Sequence, residues 1–422
     1  RQVIAPLDIQ ALEADGRTGD FLIAKAAYSL RSLGTRQATL AATGDTVARA
    51  DGKFVAQVRR NVNGDLKSFT ATEVSDGTLT SFVNESFTSS LPLDVVGSAA
   101  AAYGLRNLSS SYDGNVVEVR RSSDDTTRDF TAAEITDGTL LAFVGTGGSD
   151  NGFVKTWYDQ SGNSNDAAQA TAASQPKIVS AGALVTGGIG FDGTDDFLKY
   201  SGNFLGSSSA SSFSVSNFNN ASASSREIIY GLQDASGNRY DFLVARQSSN
   251  VIDFYVEGDS ESGSSLSITD TDKHLLTAIY ADTEKRNIFD DGALGHSFSN
   301  YNQGALTDGT DFLIGQDIAN SNRLNGSIAE LIVYASDQSD KRRAIEESIA
   351  TANGITLASF NRDGFVKTWY DQSVTNEAGD TATGNHATQA TAASQPKIVS
   401  AGSLVTEGSL PTIEFDSVDD YL

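Results

Sequence analysis

Internal repetition is the feature that most limits the possible folds of this 422-residue chain. The sequence GFVKTWYDQS fills residues 152–161 and again residues 364–373, and these stretches hold both tryptophans of the chain. Each copy is followed by ATAASQPKIVSAG and then by an acidic turn, FDGTDDFL in the first copy and FDSVDDYL in the second. A repeated block is one structural unit used twice, so the fold must accommodate this block in two places.

A second repetition lies nearer the start of the chain. AAYSLRSL at residues 26–33 matches AAYGLRNL at residues 101–108, and each is followed by VRR and then by a segment of the form FTA…DGTL…FV. The alanines and leucines of the first element have helical spacing, whereas the residues leading to VRR alternate as in a strand. We therefore predict two small α+β modules.

Short β-rich runs fill most of residues 226–334, among them REIIYGL, YDFLVAR, HLLTAIYA and GSIAELIVYA. Turns rich in Asp, Gly, Asn and Ser separate them, as in DASGN and DDG. Short strands at this spacing predict a mostly β chain built around an antiparallel jelly-roll sandwich.

A helix is predicted directly after the last of these strands. Ser339 is the expected N-cap and Gly354 the expected stop. One apolar face is predicted from four residues: Ala344, Ile345, Ile349 and Ala352.

We divide the chain into four segments. Residues 1–92 and 93–150 are the two modules, residues 151–357 are the sandwich, and residues 358–422 are a partial second copy of its first strands. This second copy lacks the later strands, so its edge would be unpaired. We expect either that the chain continues past Leu422 or that another chain covers the edge. The absence of methionine, even at position 1, also suggests part of a longer or processed protein.

Composition excludes several classes of site. A net charge of −24 argues against a nucleic-acid partner, which needs a phosphate-neutralising basic surface. The absence of cysteine excludes disulfides, thiolate metal sites and cysteine nucleophiles. No stretch approaches the length of a membrane span, so we expect no membrane insertion.

The repeated block offers the sharpest candidate for a catalytic carboxylate. Glycosidases use two carboxyl groups, and Asp159 or Asp371 would be one of them. The alternative is that Asp159 closes an Asx turn over the following residues while the tryptophan anchors the block in the core. We favour this structural interpretation and assign no catalytic residue. The predicted structural motif consists of Trp157, Asp159 and Ser161 with their equivalents Trp369, Asp371 and Ser373.

Calcium is the only cofactor that the sequence suggests. Asp192, Asp195 and Asp196 cluster in one turn, and carboxylate oxygens are the ligands that Ca²⁺ prefers. The repeat places Asp416, Asp419 and Asp420 in the same pattern. The alternative is a solvated acidic turn.

The remaining motifs give weaker signals. The histidines His274, His296 and His386 are not at metal-ligand spacing, and we expect the first two to be structural or exposed. GGIGFDG contains a G-x-G-x-x-G match that no βαβ pattern supports, so we expect no nucleotide site there.

Two family resemblances follow from these motifs. The order of WYDQSGN, QPKI, FDGTDDFL, HLLTAIY, IFDDGALG and LNGSIAELIVY resembles a concanavalin-A-like or laminin-G-like jelly roll over about half the chain. The second resemblance is to the amino-terminal part of arabinofuranosidase B catalytic domains. It is carried by the Tyr–Leu–Arg element AAYGLRNL together with VRRSSDD, LLAFVG and WYDQSGN. The same block is similar to one in virion and tail-associated proteins of marine bacteriophages.

In those phage proteins the block precedes a lectin-like sandwich, and this pairing implies an extracellular or virion protein without enzymatic activity. We expect a structural or adhesion protein such as a phage tail fibre, which forms a trimer or fibre with other virion subunits and contacts a cell-surface glycan through its lectin-like domain. The alternatives are a secreted polysaccharide-active enzyme of arabinofuranosidase type and a bacterial surface adhesin.

Overall fold

The computed structural model describes residues 2–4, 54–234, 240–256, 265–281, 285–298, 305–317, 319, 321–371 and 386–422. The chain divides into two compact units. Unit 1 comprises residues 1–86 and 360–422, and unit 2 comprises residues 87–359. Unit 2 thus contains the second module and the sandwich, whereas unit 1 contains the first module and the partial second copy. AAYSLRSL at residues 26–33 lies outside the described residues.

The amino-terminal part of unit 1 contains β1 (Gln2–Ile4), β2 (Phe54–Arg60), β3 (Leu66–Thr70), α1 (Ala71–Ser75) and α2 (Thr78–Val83). Unit 2 begins with α3 (Pro92–Val95), β4 (Ala101–Gly104), β5 (Asn115–Arg121), β6 (Thr127–Thr131), α4 (Ala132–Thr136) and α5 (Thr139–Val144). It continues with β7 (Gly152–Trp157), β8 (Ala167–Ala168), β9 (Lys177–Ser180), β10 (Ala183–Leu184), β11 (Ile189–Asp192) and β12 (Leu198–Tyr200).

The sandwich strands that follow are β13 (Ser209–Phe218), β14 (Glu227–Gln233), β15 (Tyr240–Arg246), β16 (Ile252–Val256), β17 (His274–Ala281), β18 (Lys285–Asp290), β19 (Ala293–Phe298), β20 (Asp311–Ile314) and β21 (Asn325–Tyr334), and α6 (Arg342–Asn353) comes after them. The carboxyl-terminal part of unit 1 contains β22 (Gly364–Trp369), β23 (Ala387–Thr388), β24 (Lys397–Ser400), β25 (Ser403–Leu404), β26 (Thr406–Glu407), β27 (Leu410–Pro411) and β28 (Ile413–Phe415).

Unit 2 confirms the predicted antiparallel β architecture. One layer has the order β19–β18–β17–β13–β21, and both β11 and β4 pair with β21. The other layer has the order β16–β15–β14–β20–β12–β8–β7–β5–β6. β9 pairs with β7 and with β11, so it connects the two layers. Ile189 lies opposite Ile328, as expected for first and last strands that close a sheet.

Alternating residues from both layers fill one apolar core. Phe242, Phe254, Leu276 and Ile288 are completely buried in it. A second cluster lies between the outer face of one layer and α6, where Ile345 and Ile349 join Phe213 and Leu275. Burial on both faces explains why β13, β14 and β17 read as nearly continuous apolar or small-residue runs.

A buried ion pair joins two neighbouring strands of unit 2. Arg246 has no exposed surface and lies 2.7 Å from the Glu227 carboxylate, to which its Nε donates. The guanidinium also stacks at 3.9 Å from the Phe218 ring centroid, and its Nη1 donates to the Asn220 carbonyl at 2.9 Å. The guanidinium of Arg246 is therefore contacted by a carboxylate, a backbone carbonyl and an aromatic ring.

Unit 1 assembles its sheet from both parts of the chain. β2 pairs with β22 so that Val58 faces Val366, and β5 pairs with β7 in unit 2 so that Val119 faces Val154. These are equivalent positions of the two repeats, and both pairings carry a bulge at the same place. The second copy's strand β22 is therefore paired within this chain and is not the unpaired strand that the sequence suggested.

The two modules use the same local devices. Thr70 and Thr131 each accept a hydrogen bond from the backbone N–H of the glutamate three residues later, and that glutamate's carboxylate accepts from the threonine's backbone N–H. Such capping boxes satisfy amide groups that a helix start leaves unpaired. In both modules an arginine also stacks on a phenylalanine: Arg60 on Phe82 and Arg121 on Phe143.

Two helix predictions need correction. Residues 101–104 form strand β4, which pairs with β21, instead of a Tyr–Leu–Arg helix. Periodicity cannot separate helix from strand in so short an apolar run, and here the last sandwich strand offers a free edge. The later helix begins at Arg342 with no side-chain cap, and Ser339 instead donates to Asp337. Gly354 ends it as predicted, with φ of 70°, but Ala352 is exposed.

Among the described residues, no helix has both the length and the apolar character needed to cross a membrane.

Candidate functional site

The repeated block forms a closed corner in unit 2. Trp157 ends β7 with no exposed surface, and its ring lies 5.5 Å from that of Tyr103 on β4. The Asp159 carboxylate accepts from the backbone N–H groups of Ala102 (2.8 Å), Ser161 (2.8 Å) and Asn165 (3.0 Å), and from the Ser161 hydroxyl (2.7 Å). Because four fixed donors occupy this carboxylate, its role in the structure is to tie the turn after β7 to β4.

The second copy of this corner differs in one partner. Asp371 is buried, and its backbone N–H donates to Nδ1 of His386 at 3.0 Å. In unit 2 the backbone N–H of Asp159 donates instead to the carboxylate of Asp166, which is the equivalent position. Trp369 is half-buried, and Ser373 lies outside the described residues.

Within each of the two acidic turns, the three aspartates lie close together, as the sequence suggests. In each, the three carboxylates offer oxygens within 4.8 Å of one another. Asp192 accepts from the backbone of Thr194 at 2.7 Å, and its own N–H donates to Asp196 at 3.1 Å. Burial, followed by the charge of Asp192, raises the pKa of Asp196 to about 7.

Calcium at these turns stays a prediction. The ion takes about six to eight oxygen ligands, so three carboxylates would form only part of its shell. Backbone carbonyls or water would have to supply the rest.

A cluster around His274 was not found from the sequence. Its Nδ1 lies 2.9 Å from Asp290 and its Nε2 lies 2.9 Å from Asp270, with Asp291 at 3.6 Å. Burial alone would lower the pKa of His274, but the hydrogen bonds and charges of the aspartates outweigh it and raise the pKa to about 9. The sequence signal that could have revealed this cluster is the DDG turn at residues 290–292. Because β17 and β18 form a hairpin, the end of β18 lies beside the start of β17, where His274 is located.

His274 is expected to make stability depend on pH. Its pKa is higher in the folded than in the unfolded protein, so its contribution is complete below about pH 6.5 and is lost as the pH rises towards 9. We expect His274→Gln to remove roughly 1–3 kcal/mol at pH 6 and much less at pH 9.5. Chemical denaturation of both proteins across this range is the measurement, and parallel curves would contradict the prediction.

The other sequence candidates do not form a site. His296 lies near Ser265, with its Nδ1 3.4 Å from the serine's backbone nitrogen. Gly188 directly precedes β11 and Gly190 lies within it. A side chain at Gly188 would collide with the Ile328 carbonyl. These glycines therefore serve the pairing of β11 with β21 and do not form a phosphate-binding loop.

Unit 2 also contains a cavity of about 300 Å³ that sequence reasoning missed. Its wall comes from segments far apart in the chain: the second module, residues 178–188, the start of β17, β21 and the end of α6. Charged and amide groups on the wall are Arg106, Lys273, Glu330 and Asn353, and apolar groups include Leu105, Ile135, Ile178 and Val185. No single motif marks such a site, because folding alone brings these segments together.

Glu330 is the centre of the polar wall. It is 3% exposed, and its carboxylate accepts from Arg106 Nε (2.7 Å), Arg106 Nη2 (2.9 Å) and Asn353 Nδ2 (2.7 Å). The bidentate geometry is the strong form of an arginine–carboxylate pair. It fixes the module to both β21 and α6, and so holds the cavity's shape.

Comparisons with known proteins match one part of the chain to a known domain type. Residues 192–341, roughly a third of the chain, match the family model of the concanavalin A-like lectin/glucanase superfamily. No curated protein matches the chain by sequence.

Several solved glycosidases show limited structural similarity to this chain. An arabinofuranosidase complexed with arabinofuranosyl-α-1,2-xylobiose is 17% identical, with 64% of this chain and 66% of that chain covered and a TM-score of 0.47. A GH54 α-L-arabinofuranosidase is 16% identical over 78% and 86% of the two chains, with a TM-score of 0.48. A Trypanosoma rangeli sialidase is 12% identical over 46% and 30%, with a TM-score of 0.36. At these levels no catalytic residue or substrate carries over to this chain.

The expectation of a non-enzymatic phage fibre is corrected by these findings. The matching domain type includes glucanases as well as lectins, so it does not favour a protein without enzymatic activity. The expectation relied on the pairing of the repeated block with a lectin-like sandwich, and that pairing does not separate a fibre from an enzyme. Residues 192–341 of this mostly β, antiparallel chain thus form a concanavalin A-like lectin/glucanase domain.

Proposed function

We propose that the chain is a secreted, polysaccharide-active enzyme of the glycoside hydrolase class, of arabinofuranosidase type. The match of residues 192–341 to a lectin/glucanase domain carries this proposal. The resemblance of WYDQSGN and its preceding module to arabinofuranosidase B supports the narrower type. The acidic surface is compatible with a protein that works outside the cell.

Glycoside hydrolysis restricts where the chemistry can occur. Two carboxyl groups must flank the bond, and a separation of about 5 Å is typical of enzymes that retain the anomeric configuration. Asp159 is unsuitable, because its carboxylate is already occupied by four donors. The turn with Asp192, Asp195 and Asp196 offers carboxyl oxygens within 4.8 Å and lies at the start of the matched domain.

The test is release of reducing sugar from arabinan, arabinoxylan and β-glucan. We expect the purified chain to cleave at least one of them, and Asp195→Asn or Asp196→Asn to reduce the rate by about 100-fold or more. Asp419→Asn, at the equivalent turn of unit 1, makes the same charge change and should leave the rate nearly unaltered.

Each result has a distinct meaning if thermal melting shows that the variants fold. No release from any glycan would contradict the proposed function. Release that neither Asp195→Asn nor Asp196→Asn reduces would retain the function but exclude this turn as its site. Repeating the assay with Ca²⁺ and with a chelator separates a catalytic turn from one that binds calcium.

A further inference from the structure

The cavity of unit 2 has an unusual charge balance for so acidic a protein. The chain carries a net charge of −24, yet the cavity wall has two cationic residues, Arg106 and Lys273, and one acidic residue, Glu330. The wall therefore has a net positive charge. A cleft with one sign of charge and apolar walls concentrates ligands of the opposite sign.

The single acid of this wall is already neutralised. Both Glu330 oxygens are engaged by Arg106, and Asn353 donates to one of them. Arg106 keeps only Nη1 outside this pair, with a weak contact of 3.4 Å to the Asn107 carbonyl. The pair thus forms a fixed and nearly neutral side of the cavity.

Lys273 is the charge that remains available. It is half-buried on the cavity wall, directly before β17. Its ammonium group forms no ion pair or hydrogen bond with any residue that the structure describes. A lysine whose ammonium group has no anionic partner can offer its donors to a bound anionic group.

The rest of the cavity suits a small ring with polar and apolar faces. Ile178, Val185 and Leu105 supply an apolar surface, while Asn353 and the Arg106 guanidinium supply polar edges. A volume of about 300 Å³ lies at the low end of ligand pockets, so the occupant must be small or the end of a chain.

We propose that this cavity binds a sugar unit that carries an anionic group, either a carboxylate or a sulfate. Lys273 binds the anionic group, Arg106 and Asn353 lie at the polar edge of the ring, and the apolar wall contacts its C–H face. The proposal rests on the proposed function for the choice of a sugar, and it extends that function to acidic polysaccharides.

Ligand-observed NMR titration of the full chain with glucuronate, glucose 6-sulfate and glucose tests this assignment. We expect at least one anionic sugar to bind about 10-fold or more tightly than glucose, since hydrogen bonds to charged groups are stronger than those between neutral groups. Lys273→Gln should abolish the difference, and added salt should reduce it. Comparison of the two anionic probes identifies the preferred group.

Two matched variants keep the test specific. Lys341→Gln removes the same charge from an exposed position outside the cavity and should leave binding unchanged. Ala352→Phe adds bulk at the exposed rim of the cavity and should weaken binding of every sugar. Equal binding of all three sugars, no binding, or equal losses in Lys273→Gln and Lys341→Gln would overturn the assignment. Cleavage of neutral polysaccharides would then still stand as evidence for the proposed function.

Discussion

Trp157→Ala is expected to lower the free energy of unfolding of unit 2 by about 3–5 kcal/mol. The indole has no exposed surface and packs against Tyr103, so its removal leaves a cavity where β7 meets β4. The indole N–H has no hydrogen-bond partner in the described part of the chain, and the loss is therefore one of packing. Calorimetry or circular dichroism during denaturation measures it without depending on tryptophan fluorescence.

The repeat supplies a matched control for this substitution. Trp369 occupies the equivalent position in unit 1 but is only half-buried, so Trp369→Ala should cost less and should affect unit 1. Trp157→Phe keeps most of the ring volume and should cost less than Trp157→Ala. A loss below about 1 kcal/mol for Trp157→Ala would show that the block is not an anchor of the core.

Arg246→Met is expected to destabilise unit 2 by about 3–5 kcal/mol at neutral pH. It leaves the Glu227 carboxylate buried beside β15 without its partner. Burial already raises the pKa of Glu227, and the Arg246 charge opposes that rise. Without the arginine the carboxyl takes up a proton more readily, so the loss should be smaller at pH 5 than at pH 8.

The double substitution Arg246→Met with Glu227→Leu separates a lost attraction from an unpaired charge. Replacing both members of a buried pair by apolar groups is often close to neutral. We expect the double variant to recover most of the stability and to lose the added pH dependence. Urea denaturation at the two pH values measures both effects, and a double variant no more stable than Arg246→Met would contradict this explanation.

The sequence predicted the sandwich because its signals are local. Strand-length runs separated by turn residues lie where β13 to β21 form, and the repeats correctly indicated equivalent structures in both units. Residues 101–104 were predicted as a helix because the edge of β21, which draws them into a strand, is more than two hundred residues away. Local spacing does not contain that information.

The candidate sites show the same limit. The acidic turn at residues 192–196 was predictable because its carboxylates are near neighbours in the sequence. The cavity was not predictable, since Arg106, Lys273 and Glu330 come from three distant segments and no motif connects them in the sequence. The His274 cluster is intermediate: the hairpin was visible, but its register decides that Asp290 reaches the histidine.

The pairing of β2 with β22 has a consequence for the order of folding. Unit 2 is one continuous stretch of the chain and can form as soon as it has been synthesised. Unit 1 needs strands that precede unit 2 in the sequence and strands that follow it. While unit 2 is unfolded, closing unit 1 would confine a long flexible loop, which costs entropy. Once unit 2 is folded, it is no longer a flexible loop, and closing unit 1 costs less entropy. Stability should therefore be hierarchical: loss of unit 2 weakens unit 1, but unit 2 can survive the opening of unit 1.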